Sequence, residues 1–578
     1  MKNYLYFPFL FIIFCLSSCD DLLDLKSNGT ITMDEVFTDR NRTRGYLNSC
    51  YNYLPTTYLH AGSFTDDAED SDNTAYSTFD YWYNTGLSAS RFQVINFDGG
   101  PWSDYFQGIR KCNVFLISID NATAYATDSE KAGWKAQAYT LRAFYYLQLV
   151  KRYGQIPLLL EDYGVSHDYA SEKKATVGQI VQQILDDCDS ALATPSSADY
   201  SWDIRDNQWG IMTKAVAWAI KSQAITYAKS PLFDDGTFTI DKALEITKEA
   251  LSQFLSNGYE LWNEADPENG HNAYATYFLY NPNDMRAKDK ETIYGGNQVA
   301  VWQNAGLPII GGVSKAGSCP SQDLVDAYEM ANGETPITGY NDANHLKPII
   351  NSASGYDENN PYENRDPRFY STIFYNGSKR GTSSIYTYET GNCGISETNI
   401  KYTTTGYYLR KYGDDRSNRN SNYDGYVRIM RLPEIYFNFA EIAYQAKGAD
   451  EKIDLGGNRS MSACDAVNAV RARAGMPNFP TGLTSDLFEK KYRNERRIEY
   501  AMEIDRYFDL RRWKILSEKT QFITGMRITK ESDGYTYNRF RFENRPTCED
   551  KYLLYPLTLT EVNKMMTLTG ENWQNPGW

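Results

Sequence analysis

The chain has 578 residues, 59 Lys and Arg against 74 Asp and Glu, a net charge of −15, and an unusual aromatic load of 47 Tyr, 26 Phe and 11 Trp. An acidic balance of this size argues against the basic face that phosphate backbones require, so no nucleic-acid partner is expected. The length allows several domains, but Pro and Gly are scattered and no Ser-, Gly- or Pro-rich linker divides the chain, so one large body is expected.

The first element is an export signal. Lys2 supplies a positive start, and the apolar run from Tyr4 to Leu16 is too short for a bilayer, which takes about 20 residues. Ser17 and Ser18 stand directly before Cys19, the pattern at which bacterial lipoprotein precursors are cleaved. Residues 1–18 therefore read as signal peptide and Cys19 as the lipidated first residue of the mature chain. The acidic start that follows, Asp20-Asp21-Leu22-Leu23-Asp24-Leu25, is open to two readings, inner-membrane retention or surface export. No later apolar stretch approaches spanning length, so lipid at Cys19 would be the sole membrane attachment.

Asp66-Asp67-Ala68-Glu69-Asp70-Ser71-Asp72-Asn73 offers oxygens to a hard cation, but it lacks the Gly and terminal Glu of a calcium loop. A solvated acidic loop is the expectation, with no cofactor, calcium being the single ion considered. Asp67 is a candidate for hydrogen bonding to the hydroxyls of a ligand. Next, Asp80-Tyr81-Trp82-Tyr83-Asn84 places three adjacent rings in a polar stretch, and three adjacent rings cannot all face one core. Tyr81, Trp82, Tyr83 and Asn84 are accordingly candidate ligand contacts, since the CH-rich faces of sugars stack on such rings.

Helical periodicity then takes over. A helix is expected over Ala136 to Arg152, closed by Gly154 and Pro157. A capping box at Thr176-Val177-Gly178-Gln179 opens another that ends at Thr194-Pro195. Met212 to Lys229 carries small residues that let a neighbour approach closely, and Asp241 to Asn257 is an amphipathic partner. This alternation is similar to tetratricopeptide hairpins, although no clean period can be laid over the chain. Trp102, Trp134, Trp209, Trp218 and Trp513 fall in helical patterns and are assigned to the core.

From Trp262 to about residue 425 Gly, Asn, Pro and Tyr accumulate, which reads as a loop-rich insertion with short strands. In Asn297-Gln298-Val299-Ala300-Val301-Trp302-Gln303-Asn304 a Trp is flanked by amides able to donate and accept, making Trp302 and Asn304 further candidates. Helices resume at Leu432 to Lys447, Cys464 to Ala474 and, as one long charged helix, about Asp486 to Lys514. There Glu495, Glu499 and Glu503 recur every four residues among interleaved arginines, the pattern of a neutralised helix face rather than of two opposed hydrolase carboxylates. Cys50, Cys112, Cys188, Cys319, Cys393, Cys464 and Cys548 form no CxxC pair, and His60, His167, His271 and His345 are isolated. No zinc site and no Cys/His catalysis is therefore expected. The hydrolase motifs GxSxG and HExxH and the phosphate loop are absent as well.

Seven blocks carry a family resemblance: Ala136 to Glu161, Ser321 to Glu334, Arg365 to Gly377, Tyr426 to Gln445, Ala466 to Pro477, Arg493 to Trp513 and Glu571 to Trp578. Together with the lipoprotein motif they resemble the SusD/RagB family of surface glycan-binding lipoproteins. The resemblance implies a mainly α fold, with a scaffold of four tetratricopeptide units and a less regular region packed on it. The expected division is a signal peptide at 1–18, an N-terminal scaffold at 19–261, a ligand-binding region at 262–425 and a C-terminal helical region at 426–578. It also implies a non-catalytic protein at the outer face of the outer membrane that captures oligosaccharides and passes them to a SusC-like TonB-dependent transporter. On this resemblance the acidic residues after Cys19 read as a surface-export tag. A RagB-like peptide binder is the alternative, and a surface glycoside hydrolase a more distant one.

Overall fold

The computed structural model describes residues 31–578 except 56–60, 73–87, 91, 93–97, 99, 124, 126, 165–166, 203–209, 280–287, 299–306, 311–314, 418–420, 422, 424 and 545–548. Its first half is built from α1 (Arg40–Cys50), α2 (Pro101–Ile119), α3 (Asp128–Tyr153), α4 (Val177–Leu192), α5 (Lys214–Ala228) and α6 (Ile240–Ser256). Each packs on the next, giving the tetratricopeptide-like stack of hairpins. Thr127, Thr176, Thr213 and Thr239 begin four of these helices, each hydroxyl accepting from the backbone N–H three residues on. That bond satisfies one of the orphan donors of a helix start. At Thr176 the Gln179 side chain returns the bond, completing the capping box expected there.

Helix α3 is enclosed between α2 and α4, so its apolar residues run around most of its circumference. Where α2 crosses it, Gly108 faces the ring of Tyr145, and a Cβ at that position would lie 2.5 Å from the ring. Of the charges that α3 buries, Arg142 donates to both oxygens of Asp187 on α4 at 2.6 and 2.8 Å, and Lys151 lies over the ring of Phe508. In α5, Ala215, Ala217, Ala219, Ala224 and Ala228 are all buried against neighbouring helices.

The chain then leaves the stack and returns as α7 (Pro433–Lys447), which packs on α5 and α6, followed by α8 (Ala463–Arg473) on α7. The described strands pair in twos. These include β1 (Ala68–Asp70), β2 (Thr292–Gln298), β3 (Ser318–Pro320) and β4 (Tyr426–Arg431). Strands β2 and β4 are antiparallel, with Met430 opposite Tyr294 and Arg431 opposite Thr292. The intervening region thus leaves and rejoins the stack side by side. It forms a second core around Phe278, Leu324, Phe369, Phe374 and Tyr408, which also draws in Ala68, Ala501, Met502, Met526 and Ile528.

Two elements differ from the sequence expectation. The single charged helix expected over 486–514 is two, α9 (Ser485–Glu499) and α10 (Asp505–Arg512), separated by a turn with Met502 at φ 64°. The bend lets Arg496 pair with Asp505 at 3.0 Å and Asp509 at 2.7 Å. In a straight helix a separation of nine or thirteen residues would be about 13 to 20 Å. The second difference is a long hairpin of β5 (Phe522–Lys530) and β6 (Tyr535–Asn544), for which the sequence reading had no element. Residues 523–526 of β5 are all buried, so the alternation that marks a strand is missing there.

Candidate functional site

Tyr81, Trp82, Tyr83, Asn84, Trp302, Asn304 and the lipidation candidate Cys19 lie outside the described residues. The described chain beside the ligand candidates is well defined. β1 and β3 form an antiparallel ladder pairing Ala68 with Pro320, Glu69 with Cys319 and Asp70 with Ser318. One step further, the Ser71 N–H donates to the Gly317 carbonyl and the Gly317 N–H to the Ser71 hydroxyl, both at 2.9 Å. Ser71 stands ten residues before Tyr81 and Gly317 fifteen residues after Trp302, so the chain on these sides of the two candidate stretches meets at one end of the ladder. That end is braced by the Ser71 hydroxyl and the Ala316 N–H, each donating to the Ile400 carbonyl at 2.8 Å.

The opposite end is clamped by charge. Arg506 of α10 donates to both oxygens of Asp66 at 2.6 and 2.9 Å, and Arg497 of α9 donates through Nε to Asp67 at 2.7 Å. Burial opposes ionisation of Asp66, but Arg497 and Arg506 outweigh it and hold its carboxyl well below the ordinary carboxylate range. For Asp67 burial wins, reinforced by the neighbouring charge of Asp66, and its carboxyl is pushed up despite Arg497. The backbone on either side is held by Ser321, whose hydroxyl donates to the Asp66 carbonyl at 2.6 Å and whose N–H donates to the Asp67 carbonyl at 2.8 Å.

This geometry corrects the reading of the acidic run. Asp66, Asp67, Glu69 and Asp70 are buried, not a solvated loop, because the ladder and the two arginines draw the segment between the two cores. Asp67 is 0% exposed and holds Arg497, so its carboxylate has no solvent-facing surface to offer a sugar. Of the oxygens a cation would use, both of Asp66 and Oδ1 of Asp67 accept from guanidinium groups, while Glu69 and Asp70 accept from the backbone N–H groups of Asp70 and Asp72. Among the described residues no cluster of three or more His, Cys, Asp or Glu is arranged to hold a metal ion.

The three recurring glutamates are neutralised as expected, but by arginines from other elements rather than by those interleaved in their own helix. Glu495 receives Arg368 at 2.6 Å and Arg471 at 2.5 Å. Glu499 receives Arg431 at 2.6 Å, Arg368 at 3.1 Å and Arg473, while Glu503 pairs with Arg431 at 2.7 Å and Lys411 at 2.6 Å. Burial raises the cost of charging Glu499, yet Arg473, Arg431 and Arg368 hold its carboxyl at about 2. These carboxylates sit in the seam between the two cores; Glu503 also lines a pocket of only about 10 Å³, too small for a sugar ring. Trp134, Trp218 and Trp513 are buried as expected, Trp209 lies outside the described residues, and Trp102 is only half-buried.

Comparison with known proteins follows the same outline. The model of the SusD family matches residues 304–578. A second family model, described as starch-binding associating with outer membrane, matches residues 63–212. A SusD-like protein of Formosa agariphila is 21% identical over 539 residues, covering 89% of this chain and 90% of its own. The crystal structure of a SusD-like protein from Bacteroides fragilis matches with a TM-score of 0.74 and 25% identity, over 95% of this chain and 99% of that one. A SusD-like carbohydrate binding protein of the same organism has a TM-score of 0.67 and 21% identity, over 91% of this chain and 98% of its own. Among the described residues no helix is long and apolar enough to cross a membrane. The two models in chain order, the stacked hairpins and the insertion that leaves and rejoins them lead to one conclusion: the chain belongs to the SusD family.

Proposed function

We propose that this protein is a non-catalytic glycan-binding lipoprotein of the outer-membrane surface, tethered through Cys19, that captures oligosaccharides and passes them to a SusC-like TonB-dependent transporter. The observation that supports the reading is the ladder of β1 and β3, an arginine-clamped support at one end of which Ser71, ten residues before Tyr81, meets Gly317, fifteen residues after Trp302. Binding residues on loops carried by a rigid scaffold are the usual arrangement of recognition sites. The starch-binding description of the second family model and the carbohydrate-binding description of the Bacteroides fragilis protein support the ligand class. The enclosure of Glu495, Glu499 and Glu503 among arginines supports binding rather than hydrolysis, which needs a carboxylate pair open to substrate.

Titration of the soluble chain from Asp20 onward with oligosaccharides and with peptide mixtures tests the reading. Saccharide binding that is lost when Trp82→Ala and Trp302→Ala are combined supports both ligand class and site. Binding of peptides instead would favour the RagB-like alternative, and release of reducing ends abolished by one carboxylate replacement would establish an enzyme. Co-purification of the tagged, lipidated chain with a TonB-dependent barrel tests the transporter, and replacement of Cys19 should release the chain from the membrane.

A further inference from the structure

Helix α2, the segment after α3 and α11 (Leu559–Thr569) enclose a groove of about 510 Å³ that the proposed function does not use. Its volume falls within the roughly 300–1,000 Å³ of small-ligand sites. Trp102 and Phe106 line it from α2, edge-on to each other with centroids 4.8 Å apart. Tyr163 and Tyr169 line it from the segment after α3, with the His167 ring held between them at 4.1 and 4.7 Å. His167 is fixed by Glu172 at 2.7 Å. These rings are half-buried and already ordered by their neighbours, so stacking on them costs little further side-chain entropy.

The lining specifies the ligand. The polar lining is mixed in sign, with Glu161, Glu172 and Glu561 as well as Arg110 and Lys564, so an anion or a cation meets repulsion as well as attraction. A neutral polyol uses both kinds of group, donating to the carboxylates and accepting from the cations.

We propose that this groove is a second saccharide site, on the helical scaffold, taking a short neutral oligosaccharide whose ring faces stack on Trp102, Tyr163 and Tyr169. The ligand class rests on the glycan-binding reading above, whereas the place rests on the groove itself. Calorimetric titration with neutral malto- and laminari-oligosaccharides tests it on the soluble chain and on two variants. Ser103→Trp fills the groove from an exposed position, and Tyr169→Ala removes one platform from a surface turn. The expected result is two binding events in the unaltered chain, one of them weakened about tenfold or more in both variants. The other event should persist there and disappear in the Trp82→Ala, Trp302→Ala chain, with helical circular dichroism and the thermal midpoint unchanged throughout. Saccharide binding that neither groove variant alters overturns the second site and leaves the proposed function standing. Absence of any saccharide binding overturns both.

Discussion

Glu499 sits where Arg368, Arg431 and Arg473 converge, and replacing it leaves buried guanidinium groups without their counter-charge. Removing one partner of a buried ion pair costs about 3–5 kcal/mol. Glu499→Gln should therefore lower unfolding free energy by that amount at neutral pH in denaturant titrations. The pH dependence has a definite sign. The folded carboxyl titrates at about 2 against an ordinary 4.5, so its contribution is complete above pH 4.5 and is lost as pH falls towards 2. The stability gap between the unaltered chain and Glu499→Gln should be constant from neutral pH down to 4.5 and close between there and about 2. The aromatic excess also has a residue-scale explanation that the sequence hid. Tyr145, Tyr146 and Tyr274 are buried, each hydroxyl donating to a backbone carbonyl, of Cys50, Leu159 and Glu499. A phenol in this role fills the core and satisfies an interior acceptor at once.

At the scale of elements, the helices were readable wherever a cap and an apolar face coincided. Thr176 announces α4, and Gly448 and Gly475 close α7 and α8 with left-handed backbone at φ 86° and 79°. The end of α10 lacks such a residue, since Lys514 holds φ 58° on an exposed position. Lys514→Gly should raise stability by roughly 0.5–1 kcal/mol, read as a higher denaturant midpoint, because glycine adopts that backbone without a steric penalty. The break at Met502 was unreadable because it is stabilised by partners brought together by the bend itself. The hairpin of β5 and β6 depends equally on its surroundings: Thr405 and Gly406 pass beneath it, and the Met526 N–H donates to the Thr405 carbonyl at 2.8 Å. A Cβ on Gly406, whose φ is 95°, would lie 2.3 Å from the Met526 carbonyl oxygen. Gly406→Ala should therefore accelerate amide exchange across 522–530 and lower the thermal midpoint.

Over the whole molecule, two apolar cores meet across a seam of buried charge formed by Glu291, Glu495, Glu499 and Glu503 with Arg368, Arg431, Arg471 and Arg473. The described cysteines, Cys50, Cys112, Cys188, Cys319, Cys393 and Cys464, are all buried and unpaired. Burial pushes the thiols of Cys319 and Cys393 up to about 11 and that of Cys464 to about 12. Burial keeps the reagent from all six, so they should resist iodoacetamide in the native chain and become modified on unfolding, as mass spectrometry of peptides would report.

The sequence by itself determined the export signal and lipoprotein motif as expectations, the capped helices, the irregular region between α6 and α7 and, through its blocks, the family. These are local signals, carried by residues a few positions apart whose spacing sets a period or a cap. Only the tertiary structure decided that Asp67 is a buried clamp for Arg497, that the recurring glutamates join two cores, and that the segments flanking Trp82 and Trp302 leave one ladder. Each of these depends on partners far apart in the chain, Asp66 with Arg506 and Ser71 with Gly317. A solvated acidic run and a buried, arginine-paired one look the same in sequence until folding brings the arginines to it.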